Sequence, residues 1–206
     1  MNWKEPISII NCNYKCYLIG SMEDTSKKDG GILWRQTLTP ELNARGVYCF
    51  DPTREEIKKV GITTSELLEK LTGWELSGNW KLFLKYMDKI WRGNSYIAQD
   101  SETKEPTEVR VMGDIDYITH SDFLIWHHEE GDNPGGTIAE LAIAWYRGIP
   151  VYLFTDMPVS KINKSLLYFV LSSGYNQGGI FKSQNKLLEF LDNKYKFNDL
   201  KKEGEK

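Results

Sequence analysis

Apolar residues in this chain come in short runs separated by stretches with helical spacing, the alternation of a layered α/β domain. Cys16-Tyr17-Leu18-Ile19 forms a first strand, stopped by Gly20-Ser21. Over residues 32–45, Leu33, Leu38 and Leu42 fall on one side and predict a helix, which Pro40 is expected to divide or kink. Gly46-Val47-Tyr48-Cys49-Phe50 is a second strand, ending at Asp51-Pro52. A third, Asp122-Phe123-Leu124-Ile125-Trp126, runs toward the turn-rich Gly131-Asp132-Asn133-Pro134-Gly135-Gly136. Thr137 is placed to cap a helix running to about Arg147, and Gly148 breaks it. Ile149-Pro150-Val151-Tyr152-Leu153-Phe154 gives a fourth strand, with Pro150 near its beginning. Gly179-Ile180-Phe181 is a short fifth, and Leu187, Leu188, Phe190 and Leu191 mark a closing helix.

Residues 53–109 fit this rhythm worst. They predict one or two helices, at 65–71 and 79–91, and a polar loop over 99–107. The segment reads as a helical insertion between strands two and three, packed over one sheet edge, or as a small subdomain. Trp80, Phe83, Leu84, Met87 and Trp91 make an apolar stripe on its second helix, the pattern of a core face more often than of a docking face. Residues 1–200 are taken as one domain and 201–206 as a polar tail.

Composition narrows the function classes. With 206 residues, 40% hydrophobic and 27% charged, the chain has the mix of a soluble globular protein. Its net charge is −3, whereas a protein living on nucleic-acid phosphates carries a basic excess. No stretch approaches the ~20 apolar residues of a membrane span, and Met1-Asn2-Trp3-Lys4-Glu5-Pro6 lacks the core of a signal peptide. An odd cysteine count (Cys12, Cys16, Cys49) fits a reducing compartment, so a cytoplasmic protein is expected.

In an open parallel sheet, ligands bind beyond the carboxyl ends of the strands, which directs attention to the residues after each one. After the third strand, Gly135-Gly136 allow close backbone approach, Thr137 opens a helix, and Glu140 stands three residues in. The plain alternative is a T-x-x-E capping box, in which Glu140 only satisfies an orphan amide. Before that strand, Asp114, Asp116 and Asp122 offer carboxylates that accept hydrogen bonds strongly from sugar hydroxyls; Asp114 and Asp116 point in different directions on any helix. After the first strand, the Gly20-Ser21 turn is neither a dinucleotide fingerprint nor a Walker loop. Glu23 and Asp24 there oppose a phosphate, while Lys27, Lys28 and Arg35 offset them. Trp34-Arg35 offers a flat ring and a positive fork, or else packing plus a salt bridge. His127-His128-Glu129-Glu130 and Cys12-x-x-x-Cys16 lack the ligand spacing of a zinc site, and no metal is expected. No G-x-S-x-G marks a serine nucleophile.

Tyr17-Leu18-Ile19-Gly20-Ser21-Met22, Asp114 before Ser121-Asp122-Phe123-Leu124-Ile125, Gly136-Thr137-Ile138-Ala139-Glu140-Leu141-Ala142 and Gly148-Ile149-Pro150-Val151 together resemble the nucleoside 2-deoxyribosyltransferase superfamily, which includes deoxynucleoside-monophosphate N-glycosidases. The resemblance implies a Rossmann-like (flavodoxin-like) parallel sheet and cleavage or transfer of an N-glycosidic bond without a cofactor. It makes Glu140 the nucleophile and Asp114 the carboxylate that holds the deoxyribose and positions the catalytic group. It also sets the turn of Gly20, Ser21 and Met22 under the sugar or its 5′ substituent, with Gly136 and Thr137 lining the site. Trp34, Arg35, Asp51 and Asp116 complete the candidate binding residues. The implied partners are a small nucleoside or nucleotide and further copies of the chain.

The chemistry is consistent with those roles. C1′ leaves its base through an oxocarbenium-like state, which a carboxylate beneath it stabilises and then captures. A helix N-terminus would favour the ionised Glu140. Asp116, Asp51 and Asp132 are all candidates to protonate the leaving base. The superfamily's transferases often carry a further carboxylate shortly before the nucleophile, where this chain has Pro134-Gly135-Gly136, with Asp132 further back. Pro134-Gly135-Gly136-Thr137 with Glu140 also resembles, less closely, the P-G-G-x-G-T-x-x-E motif of lysine-decarboxylase-like phosphoribohydrolases. Outside catalysis, the same residues suit a nucleotide-binding sensor of this fold, and helix 79–91 suits a partner-binding module.

Overall fold

The computed structural model describes residues 12–20, 31–99, 104–132 and 135–197. In chain order the elements are β1 (Tyr14–Ile19), α1 (Leu33–Asn43), β2 (Val47–Phe50), α2 (Pro52–Val60), α3 (Thr64–Leu76), α4 (Trp80–Arg92), β3 (Asn94–Gln99) and β4 (Pro106–Val111). There follow α5 (Asp114–Thr119), β5 (Phe123–His127), α6 (Gly135–Tyr146), β6 (Val151–Phe154), α7 (Lys164–Asn176), β7 (Gly179–Phe181) and α8 (Gln184–Tyr195). The described chain separates into two compact units, one of residues 52–117 and one holding the remainder.

The larger unit is a five-stranded sheet in the order β2-β1-β5-β6-β7, parallel throughout. Cys16 lies opposite both Cys49 and Phe123, and Leu124 lies opposite Val151. Its central strands are buried on both faces, which is why they read as unbroken apolar runs rather than as alternation. On one face Cys16, Leu18, Phe123, Ile125 and Tyr152 pack with Leu38 and Leu42 of α1 and Leu187, Leu188 and Leu191 of α8. Arg45 ties those two helices together with paired bonds of 2.9 and 3.1 Å to Asp192. The α/β reading and its five strands stand as expected; α1, however, is not divided. It passes through Pro40 as one helix and ends within a turn, with the Pro40 carbonyl accepting from Ala44 N–H at 3.0 Å. A proline this near the C-terminus removes one hydrogen bond from a helix that is about to stop.

The smaller unit differs more from expectation. The stretch expected to hold one or two helices has three before its hairpin, because α2 opens on Pro52 at its first position and carries few apolar residues. Thr63 and Glu66 close a reciprocal capping box at the start of α3, and Asn79 caps α4. Leu67, Leu71 and Ile90 form the core, joined by Trp74, Phe83, Tyr86 and Met87. The apolar stripe of α4 is therefore split: Phe83 and Met87 face that core, while Trp80 and Leu84 stand exposed. Of the loop expected over 99–107, residues 100–103 lie outside the described residues and Lys104-Glu105 form no regular element, while its ends belong to an antiparallel hairpin, with Gln99 opposite Pro106 and Asn94 opposite Val111. Its strands are mostly exposed, so no apolar run announced them. The hairpin's base is tight: a Cβ on Gly113 would meet Gly93 N at 2.3 Å.

Burial of the Tyr195 phenol, bonded to the Tyr152 hydroxyl at 3.0 Å, pushes its pKa far above the ordinary 10.0. Below pH 10 both folded and unfolded chains keep that proton, so the group leaves stability unchanged. Above it the unfolded chain ionises while the folded one does not, and stability falls by up to about 1.4 kcal/mol per pH unit. Urea midpoints measured from pH 8 to 11 are expected to drop on the alkaline side, and Tyr195→Phe should flatten that limb.

Candidate active site

The order β2-β1-β5 places a reversal of winding between β1 and β5, and the carboxyl ends of these strands converge there. Gly20 follows β1, Asp51 follows β2, and His128 follows β5. Gly20 is tightly enclosed: a Cβ would meet the Trp34 ring at 3.1 Å, the Arg35 guanidinium at 3.3 Å and the His127 carbonyl at 3.4 Å. The Trp34 ring lies 5.4 Å from His127 and 5.7 Å from Phe154, and His127 stacks on Phe154 at 4.5 Å. Gly20, Trp34, Arg35 and Asp51 are thus brought together beyond the carboxyl ends of β1 and β2. Ser21 and Met22 lie outside the described residues.

Arg35 is fully buried. Its Nη1 donates to the Gly31 carbonyl at 2.6 Å and its Nη2 to the Gly20 carbonyl at 3.0 Å, while Nε lies 3.8 Å from Asp51 Oδ1. The guanidinium therefore acts on the main chain at Gly20 and Gly31 and on a buried carboxylate. This is the packing-and-ion-pair side of the two readings of Trp34-Arg35.

Glu140 lies in α6, which begins at Gly135 rather than at Thr137. That start overturns the capping box, because the box needs its threonine outside the helix, whereas Thr137 is buried inside it. It also moves Glu140 out of the first turn, where the helix dipole acts most strongly. What holds the carboxylate is instead the Tyr17 hydroxyl, donating to Oε1 at 2.8 Å across 123 residues of sequence. Glu140 is 9% exposed and Tyr17 fully buried. A Cβ on Gly135 or Gly136 would meet none of the described residues within 4 Å.

Asp132 Oδ2 accepts from the Glu129 amide at 2.8 Å and lies 3.3 Å from His128 Nδ1, and His128 stacks on Trp126. The carboxylate thus organises the loop after β5. In the smaller unit, Asp114 and Asp116 diverge as their spacing requires. Asp116 Oδ2 binds Arg110 at 2.6 Å and the Gly113 amide at 3.1 Å, whereas buried Asp114 is paired with Lys59. A second concavity, about 420 Å³ between α1 and α8, is lined by Glu41, Arg45, Gln184, Asn185, Glu189 and Asp192. Within it Arg45 pairs with Glu41 and Asp192, and it holds none of the candidate chemistry. Among the described residues, no group of three or more His, Cys, Asp and Glu is placed to hold a metal, and no helix is long and apolar enough to cross a membrane.

Sequence reasoning missed Tyr17 and Lys59. A signal existed for the first: a tyrosine inside an all-buried strand needs a partner for its hydroxyl.

Fold and site define an open α/β protein with a buried carboxylate beside its topological switch point. Comparison with solved structures finds a 2-deoxyribosyltransferase from Bacillus psychrosaccharolyticus, at 16% identity over 84% of this chain and 90% of that one, TM-score 0.48. A conserved protein from Enterococcus faecalis V583 matches at 13% identity over 87% and 98%, TM-score 0.47. A CMP N-glycosidase from Clostridium botulinum matches at 13% identity over 86% and 98%, TM-score 0.42. No protein-family model matches the sequence, and comparison with curated proteins finds no match.

Arg35→Met leaves Asp51 buried opposite a neutral side chain, and removing one partner of such a pair costs about 3–5 kcal/mol. A fall of that order is expected in denaturant unfolding of the variant. A change below 1 kcal/mol would show that the ion pair does not hold the β1 turn.

Proposed function

We propose that this protein cleaves the N-glycosidic bond of a deoxynucleoside or its 5′-monophosphate, with Glu140 as nucleophile. The observation that carries the reading is the Tyr17–Glu140 bond at the sheet's switch point. A carboxylate buried to this degree is costly unless a donor satisfies it, and here the donor comes from the central strand. Glu140 attacks C1′, the C1′–N bond breaks with its electron pair going to the base, and a proton reaches the departing nitrogen. Water then attacks the glycosyl ester, releasing the sugar and restoring the carboxylate. Asp132 is bound to His128 and the Glu129 amide, which supports water over a second base as acceptor. The role of Asp114, holding the deoxyribose, is part of the same proposal and follows the resemblance. So do the places of Gly20, Ser21, Met22, Trp34, Gly136 and Thr137 around the substrate. The odd count of three cysteines supports a reducing, cytoplasmic setting.

Self-association belongs to this reading. Along α6 and α7, Ile138, Trp145, Tyr146, Tyr168, Leu171 and Tyr175 are exposed, with Tyr146 at 81% and Tyr175 at 84%. Glu140 and Lys164 are the only charged residues of the two helices. A second copy presents the same apolar side chains and so offers them a matching surface.

With purified protein and a panel of deoxynucleosides and their monophosphates, chromatography is expected to show free base. Glu140→Gln should abolish release while staying folded, and Tyr17→Phe should lower kcat on the order of 10-fold, about 1.4 kcal/mol. Unchanged turnover in Glu140→Gln rules the mechanism out; tight binding without base release favours the sensor. Light scattering should give a mass above 23.9 kDa for the wild type and a monomer for Tyr146→Lys.

A further inference from the structure

Lys59 is 3% exposed, and its ammonium reaches no solvent. Within the smaller unit its Nζ donates to Asp114 Oδ1 and to the Ile90 carbonyl at 3.5 Å, and it lies 5.0 Å from the centre of the Tyr117 ring. One helical turn earlier on α2, Glu55 accepts from the Tyr117 hydroxyl at 3.0 Å. Two carboxylates, an ammonium and a phenol are thus gathered between α2 and α5, all buried. Asp114 is 5% exposed, and among the described residues the hydrogen bond to its carboxylate comes from Lys59, at Oδ1.

Burying such a pair gains little stability over an apolar pair of similar volume, so its presence asks for another explanation. An ammonium sealed from solvent touches no substrate. What it does is fix one oxygen of Asp114, so that the other keeps its capacity to accept a hydroxyl. We infer that Lys59 is a positioning residue, which orients Asp114 so that Oδ2 accepts from a hydroxyl of the sugar. The inference rests on the proposed glycosidic function and on the sugar-holding role of Asp114 within it.

A kinetic double-mutant cycle on the full chain tests it, comparing Lys59→Met, Asp114→Asn and the double variant for base release, with thermal unfolding of each. Lys59→Met is expected to lower kcat/KM on the order of 10²-fold, as misplacement of a positioning group does. Asp114→Asn should lower it similarly, and the double variant no further than the worse single. Tyr117→Phe, which breaks the neighbouring Glu55 bond, should lower Tm with kcat/KM unchanged. Additive losses, or a Lys59→Met variant that is less stable but equally active, overturn the inference. If Lys59→Met does not fold, Lys59→Arg decides: its wider fork shifts Asp114, so an unchanged kcat/KM overturns the role and a loss with fold retained supports it. Absence of base release by the wild type overturns the underlying function together with this inference, and is recognised before any variant is made.

Discussion

A carboxylate shut away from water must be given a hydrogen-bond donor, and the arrangement of the larger unit follows from how Glu140 obtains one. The donor is Tyr17, on the strand that pairs with both β2 and β5. Side chains alternate along a strand, so Tyr17 points away from the face on which Cys16 and Leu18 pack with α1 and α8. The same strand thereby supplies core to one side and a phenol to the other. A site mounted on a central strand inherits that strand's rigidity, whereas a site on a loop would not.

Around this bond the strand ends are tied down by polar groups turned inward. Arg35 closes on the carbonyls of Gly31 and Gly20, and Asp132 gathers His128 and the Glu129 amide. Each puts a charge where water does not reach, a cost that demands geometric fit. Lys59 and Asp114 repeat the device in the smaller unit.

The candidate residues divide accordingly. Arg35, which looked from its neighbours like a fork for a ligand, spends its donors on the protein. Asp116 is occupied by Arg110 and the Gly113 amide. Glu140 and Asp114 differ: each is buried, and each accepts from a long-range donor at one named oxygen.

The α/β class, the five strands and the carboxylate after the glycine pair were legible in the chain itself, because they depend on local quantities. Apolar runs such as Leu124-Ile125-Trp126 declare a strand buried on both faces, and Gly148 declares a helix end. The hairpin over 94–111 was not legible, since its strands bury little and carry no apolar run. Nor was the start of α6 at Gly135, which depends on Thr137 turning into the protein instead of capping. Tyr17 and Glu140 are 123 residues apart, and Lys59 and Asp114 are 55. Sequence spacing carries no information about which side chains meet over such separations; the order of the strands and the packing of the helices decide it.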